Sequence, residues 1–159
     1  MVIINEYTKG KNEYLFSMLK RIQNIISPQL LKVLMEMGHG DEVVIADGNF
    51  PAASHAQRLV RLDGHEIVPL LEAVLKLFPL DTFVEKPAVL MAVVQGYNYY
   101  PEIWAAYKKI IQQYESHFAD FEMMERYVFY ERAKRAYAIV ATGETARYAN
   151  IILKKGIFF

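Results

Sequence analysis

From residue 27 onward, stretches with helical spacing of apolar side chains alternate with short runs that are apolar throughout. Ser27-Pro28 offers an N-cap followed by proline at the first helical position, where its missing N–H costs nothing. Leu30, Leu31, Val33, Leu34, Met35 and Met37 then form a broad apolar face and Gly38 supplies a stop, so the spacing predicts a helix. Residues 42–46 (EVVIA) are a β-branched run between Asp41 and Asp47, the pattern of a buried strand, and Asp47-Gly48-Asn49-Phe50-Pro51 is turn chemistry. Residues 58–62 read as a second strand closed by Asp63-Gly64, and residues 66–77 have helical spacing that ends before Pro79. Residues 88–94 are a continuous apolar run whose length and neighbours favour a strand. Pro101 opens a helix with Ile103, Trp104, Tyr107, Ile110 and Ile111 on one side, and residues 129–135 look like the end of another. Residues 137–141 and 151–153 complete the set as strands. Helices alternating with short, wholly apolar strands predict an α/β fold. We expect one three-layer domain, with a mostly parallel sheet covered by helices on both faces.

Residues 1–17 show no sustained period and mix Asn, Glu, Lys and Gly with scattered aromatics, and a second Met stands at position 18. They read as a leader outside the fold, with residues 18–159 as the domain; an ordinary N-terminal strand is the alternative. Three polar loops follow strand-like runs: the Asp47 loop, residues 95–100 and residues 142–150. In open α/β sheets ligands bind at loops leaving the carboxyl ends of strands.

Composition narrows the chemistry. The 159 residues carry 18 Lys+Arg against 18 Asp+Glu, which argues against a nucleic-acid binder or an acidic-membrane binder. No apolar run approaches a membrane span, no signal peptide is visible, and a cytoplasmic location is the expectation. The absence of cysteine excludes disulfides, cysteine catalysis and thiolate metal sites. There is no Gly-rich phosphate loop, no H-E-x-x-H and no nucleophile elbow, which removes nucleotide hydrolysis, zinc proteolysis and serine hydrolysis as leading options.

Three constellations remain. In Gly38-His39-Gly40-Asp41 the flanking glycines let a ligand approach a side chain able to exchange protons near neutral pH; a helix cap and a tight turn would explain them equally. Asp47, at a strand exit, can accept two sugar hydroxyls, hold a neighbouring cation, or merely cap its turn. Tyr148-Ala149-Asn150, with Arg126 and Phe129-Tyr130-Glu131-Arg132 upstream, offers hydroxyl and amide groups suited to a polyhydroxylated neutral ligand. Glu131 and Arg135 are spaced for a surface ion pair. Met91 and most aromatics read as core. His55, His65 and His117 read as surface residues.

The order of Pro28, Leu30-Leu31-Lys32-Val33-Leu34, Met37-Gly38-His39-Gly40-Asp41-Glu42, Asp47 and Phe50-Pro51 resembles the sugar mutarotase family, which holds the D-ribose pyranases and L-fucose mutarotases. Phe129-Tyr130-Glu131-Arg132-Ala133, Thr142-Gly143-Glu144 and residues 148–156 agree, and the likeness runs from about Met18 to the C-terminus. The F-Y-E-R-A run and the Phe50-Pro51 loop look like the fucose branch. Two positions depart from the pattern: Asn49 stands where some members carry His, and Ala149 where Gly is frequent.

The resemblance implies His39 as proton donor, Tyr130 as a further acid/base or hydroxyl partner, and Asp47, Arg126, Tyr148, Ala149 and Asn150 as sugar-binding positions. It implies α/β anomer interconversion of L-fucose, by protonating the ring oxygen while removing the anomeric hydroxyl proton, with no cofactor and no metal. It also implies a homo-oligomeric ring, typically a decamer built from pentamers, with sites completed by a neighbouring chain. The apolar end Ile157-Phe158-Phe159 suits such contacts, and a packed tail suits it as well. A non-catalytic sugar-binding or regulatory ring protein, and a D-ribose pyranase, are the competing readings.

Overall fold

A computed structural model describes residues 18–159. The expected leader, residues 1–17, lies outside the described residues. In chain order the elements are α1 (Pro28–Glu36), β1 (Glu42–Ala46), α2 (Ala52–His55), β2 (Leu59–Leu62), α3 (Ile67–Leu75), β3 (Ala88–Met91), α4 (Ile103–Tyr114), β4 (Glu122–Met124), α5 (Arg126–Arg135), β5 (Ala138–Thr142) and β6 (Ile151–Lys154). The six strands form one sheet in the order β2-β5-β1-β6-β3-β4. β1 and β2 run parallel to β5, and β3 runs parallel to β4. β6 lies between β1 and β3 and is antiparallel to both. The sheet is therefore mostly parallel, as expected, with one reversed strand at its centre.

Both faces of the sheet are buried, which is why the central strands read as unbroken apolar runs. Successive side chains alternate between the faces: Val43, Ile45, Leu90, Val140, Ile151 and Leu153 pack with α1, α3 and α4. Val44, Ala46, Val89, Ile139 and Ile152 pack with α2 and α5. These are the three expected layers. Ser27 caps α1 as its sequence predicts, its Oγ accepting the Leu30 N–H at 3.1 Å.

The structure departs from the expected elements in two respects. The apolar run at 88–94 is a strand only to Met91. Beyond it Val94 turns outward and is exposed, because β4 is only three residues long and offers little further to pair with. The edge strand β4 and the single-turn α2 have no sequence signature, since elements of three and four residues are too short to display a period.

Candidate active site

The carboxyl ends of the parallel strands converge on one cleft of about 320 Å³. Asp47 leaves β1, Met91 and Val94 leave β3, and Arg126 opens α5 just after β4. Tyr148 and Asn150 enter from the loop before the reversed strand β6, and Asn49, Phe50, Tyr130 and Arg147 complete the lining. Five of the seven expected site residues thus share one wall-to-wall space: Asp47, Arg126, Tyr130, Tyr148 and Asn150.

Asp47 is buried and held from three sides. The Asn49 N–H donates to its Oδ1 at 2.9 Å and Asn150 Nδ2 donates to its Oδ2 at 3.1 Å, while its own N–H donates to Asn150 Oδ1 at 2.8 Å. Loss of water raises the Asp47 pKa above the ordinary carboxylate value, and the hydrogen bonds pull the other way without cancelling the effect. Each carboxylate oxygen keeps a lone pair able to accept a ligand hydroxyl.

Arg126 lies on the exposed rim. Its Nε donates to the Tyr130 hydroxyl at 3.2 Å, which raises the guanidinium pKa further and fixes the permanent positive charge beside the phenol. The Glu125 carboxylate caps α5 by accepting the Tyr127 and Val128 N–H groups at 2.9 and 3.3 Å, and so sets where Arg126 begins the helix. Tyr130 packs edge-on against Phe50, with ring centroids 5.3 Å apart.

Ala149 is fully buried beneath the cleft and does not line it. Its carbonyl accepts the Tyr107 hydroxyl at 2.8 Å, which ties this part of the loop to α4.

His39 is elsewhere. It precedes β1, whereas Asp47 follows it, and five strand residues hold those two ends about 16 Å apart. One sugar ring cannot reach both from a single chain. At its own end of the sheet, His39 Nε2 meets Asp81 Oδ1 at 3.1 Å, with the imidazole 43% exposed and the carboxylate 4% exposed. A carboxylate oxygen that accepts from Nε2 sets the ring's orientation and turns Nδ1 away from Asp81. The Phe83 ring lies tilted against the imidazole, centroids 5.4 Å apart, and the Phe83 N–H donates to the same Asp81 oxygen at 3.0 Å. Asp81 is itself tethered to β6, through its N–H to the Lys154 carbonyl at 3.0 Å.

Several neighbours of the site escaped the sequence reading. Asp81 lies 42 residues from His39, and no local pattern announces it. Met91 reads as core and is buried, yet it also lines the cleft. His55 is half-buried rather than free on the surface, its ring edge-on to both Phe50 and Tyr130. His65 and His117 are exposed as expected. Among the described residues, no three His, Asp or Glu side chains gather as a metal-binding set.

An α/β sheet whose strand ends present carboxylate, amide, phenol and guanidinium groups around a small cleft defines a protein built to bind a small polar molecule. The sequence profile of the RbsD / FucU transport protein family matches residues 20–158, and the chain belongs to that family. It is 47% identical over 140 residues to the L-fucose mutarotase of Histophilus somni (strain 2336), covering 88% of this chain and 97% of that one. It is similar in structure to FucU from Bifidobacterium longum, with a TM-score of 0.85 and 52% identity over 88% of this chain and all of that one. It is also similar to the fucose mutarotase of Streptococcus pneumoniae solved in complex with L-fucose, with a TM-score of 0.82 and 53% identity over 89% of this chain and all of that one.

Proposed function

We propose that this chain is an L-fucose mutarotase, interconverting the α and β anomers by acid–base ring opening and reclosure. The observation that carries the reading is the shared cleft of Asp47, Arg126, Tyr130, Tyr148 and Asn150, in a chain about half identical to a fucose mutarotase that has been crystallised with L-fucose. Mutarotation moves two protons: one onto the ring oxygen, one off the anomeric hydroxyl. The C1–O5 bond breaks as C1 becomes an aldehyde, the aldehyde rotates, and O5 recloses on its other face. Asp47 and Asn150 anchor hydroxyls, and Tyr130 beside the Arg126 charge serves as one proton-transfer group. His39, oriented by Asp81, serves as the other, and general acid–base catalysis of this kind contributes about 10²–10⁴-fold.

The separation of His39 from the cleft supports a composite site in which one copy's His39 enters the cleft of the next. A contact between two different ends of the molecule is heterologous, and its repetition forms a ring when its rotation closes. A decamer of two such rings and a cytoplasmic location complete the proposal. Among the described residues no helix is long and apolar enough to cross a membrane.

The test is anomer exchange of L-fucose followed by saturation-transfer NMR. The expected result is faster exchange with the protein than with its His39→Ala variant; equal rates would refute the assignment and leave the non-catalytic sugar-binding reading. A parallel D-ribose arm separates mutarotase from pyranase activity.

A further inference from the structure

Tyr148 has φ +56°, and apart from Arg21 it is the only non-glycine with positive φ among the described residues. For a bulky side chain that conformation sets Cβ against its own carbonyl and persists only where the surroundings enforce it. The enforcement comes from α4. Trp104 Nε1 donates to the Tyr148 carbonyl at 2.8 Å, and the Tyr107 hydroxyl donates to the next carbonyl, Ala149, at 2.8 Å. Residues three apart on a helix share one face, so consecutive turns of α4 seize two consecutive carbonyls. Burial drives the Tyr107 phenol pKa upward, which keeps that donor protonated. With both carbonyls drawn down toward α4, the Tyr148 ring faces the cleft, where its hydroxyl accepts the Val94 N–H at 3.4 Å and its ring lies 6.1 Å from that of Tyr99. Two residues on, Asn150 turns to Asp47.

We propose that Trp104 is a positioning residue for sugar binding, with Tyr107 as its partner: together they hold Tyr148 left-handed and aimed into the cleft, though neither lines it. This rests on the reading of the cleft as a monosaccharide site.

The test measures exchange kinetics of L-fucose for wild type and the Trp104→Phe, Tyr148→Phe and Trp104→Phe/Tyr148→Phe variants, with thermal stability alongside. Trp104→Phe is expected to raise KM roughly 5- to 10-fold with kcat nearly kept, the range that follows from one lost hydrogen bond. The double variant is expected to be no worse in KM than Tyr148→Phe, because the effect passes through Tyr148. A merely structural role would lower stability without moving KM. If KM is unchanged in Trp104→Phe while Tyr148→Phe raises it, the clamp is overturned and the mutarotase reading stands. The sequence has a single tryptophan, so Trp104 emission also reads ligand binding in the wild type without any variant. A saturable emission change with L-fucose but no accelerated exchange would support the clamp and overturn the catalytic reading. No emission change together with no acceleration overturns both. Should Trp104→Phe fail to fold, Tyr107→Phe, with the same expected rise in KM, and the wild-type emission decide the matter.

Discussion

Asp47 and Asn150, 103 residues apart, grip each other through two hydrogen bonds, backbone N–H to amide oxygen at 2.8 Å and amide nitrogen to carboxylate at 3.1 Å. The pair fastens the exit of β1 to the entry of β6, antiparallel neighbours in the sheet. It also fixes which way the Asn150 amide faces, so both groups of the cleft are already ordered and a ligand there would not have to order them.

The pair sets a pH dependence. Burial raises the Asp47 pKa in the folded chain, so between the ordinary aspartate value and the raised one the folded state holds more protons than the unfolded state. Stability from this group is fully present below that window and declines as pH rises through it. Denaturant titrations should show the decline in wild type relative to Asp47→Asn. A difference between the two that grows with pH in wild type's favour would contradict the assignment. Asp47→Asn should also weaken L-fucose binding by about 10-fold, from loss of a charged acceptor.

Asp81 touches His39 and does not line the cleft. Asp81→Asn keeps an oxygen to accept the Phe83 N–H and His39 Nε2 but removes the negative charge, which weakens the hydrogen bond that orients the imidazole. The expected outcome is a kcat about 10- to 100-fold lower with KM near wild type, a fraction of what general acid–base catalysis supplies. Exchange kinetics across a range of L-fucose concentrations separate the two constants.

A shared site predicts complementation. His39→Ala and Asp47→Ala should each be nearly inactive alone, yet unfolding, mixing and refolding them together should restore about a quarter of the wild-type exchange rate, the fraction of random head-to-tail contacts that join two intact halves. A mixture no more active than its parts would place each site within one chain.

Gly156 secures the His39 end. Its N–H donates to the Pro79 carbonyl at 2.8 Å, and a Cβ there would press on the backbone of Leu80 and Asp81. Gly156→Ala should displace Asp81, cost roughly 1–3 kcal/mol through overpacking, and lower exchange activity more than L-fucose binding. Calorimetry and exchange kinetics on the same preparation check both.

Arg132 ties three elements, with Nε and Nη2 on Glu42 of β1 and Nη1 on Glu122 of β4 at 3.0 Å. The two carboxylates raise its pKa further, so it stays charged. Its side chain is only partly screened from water, so Arg132→Met should cost about 2 kcal/mol rather than the full cost of breaking a deeply buried pair. Arg132→Met/Glu42→Gln should lose less than the sum of the single variants in urea denaturation.

The helices and central strands were legible because their signals are local. Ser27 before Pro28, the apolar spacing of residues 67–75, and the unbroken runs at 42–46 and 151–153 each state their own conformation. The cleft was legible in part for the same reason, since Asp47 and Tyr148-Ala149-Asn150 sit beside strand-like runs. Ala149 shows where that reasoning stops. The family resemblance grouped it with Tyr148 and Asn150, and the turn at Tyr148 places its side chain under the cleft. The Phe129–Ala133 run likewise marked the family resemblance, yet within it Tyr130 lines the cleft and Arg132 braces the sheet.

Periodicity, caps and composition by themselves determined a neutral, cysteine-free α/β chain with polar groups at its strand ends, because each depends on residues within a few positions of one another. The parting of His39 from Asp47 across β1 is local, whereas only the tertiary structure decided that β6 runs against its neighbours and that Asp81 stands behind His39. Those relations join residues far apart in sequence through the pairing of strands. A strand that moves the chain along by its own length necessarily parts the residues at its two ends.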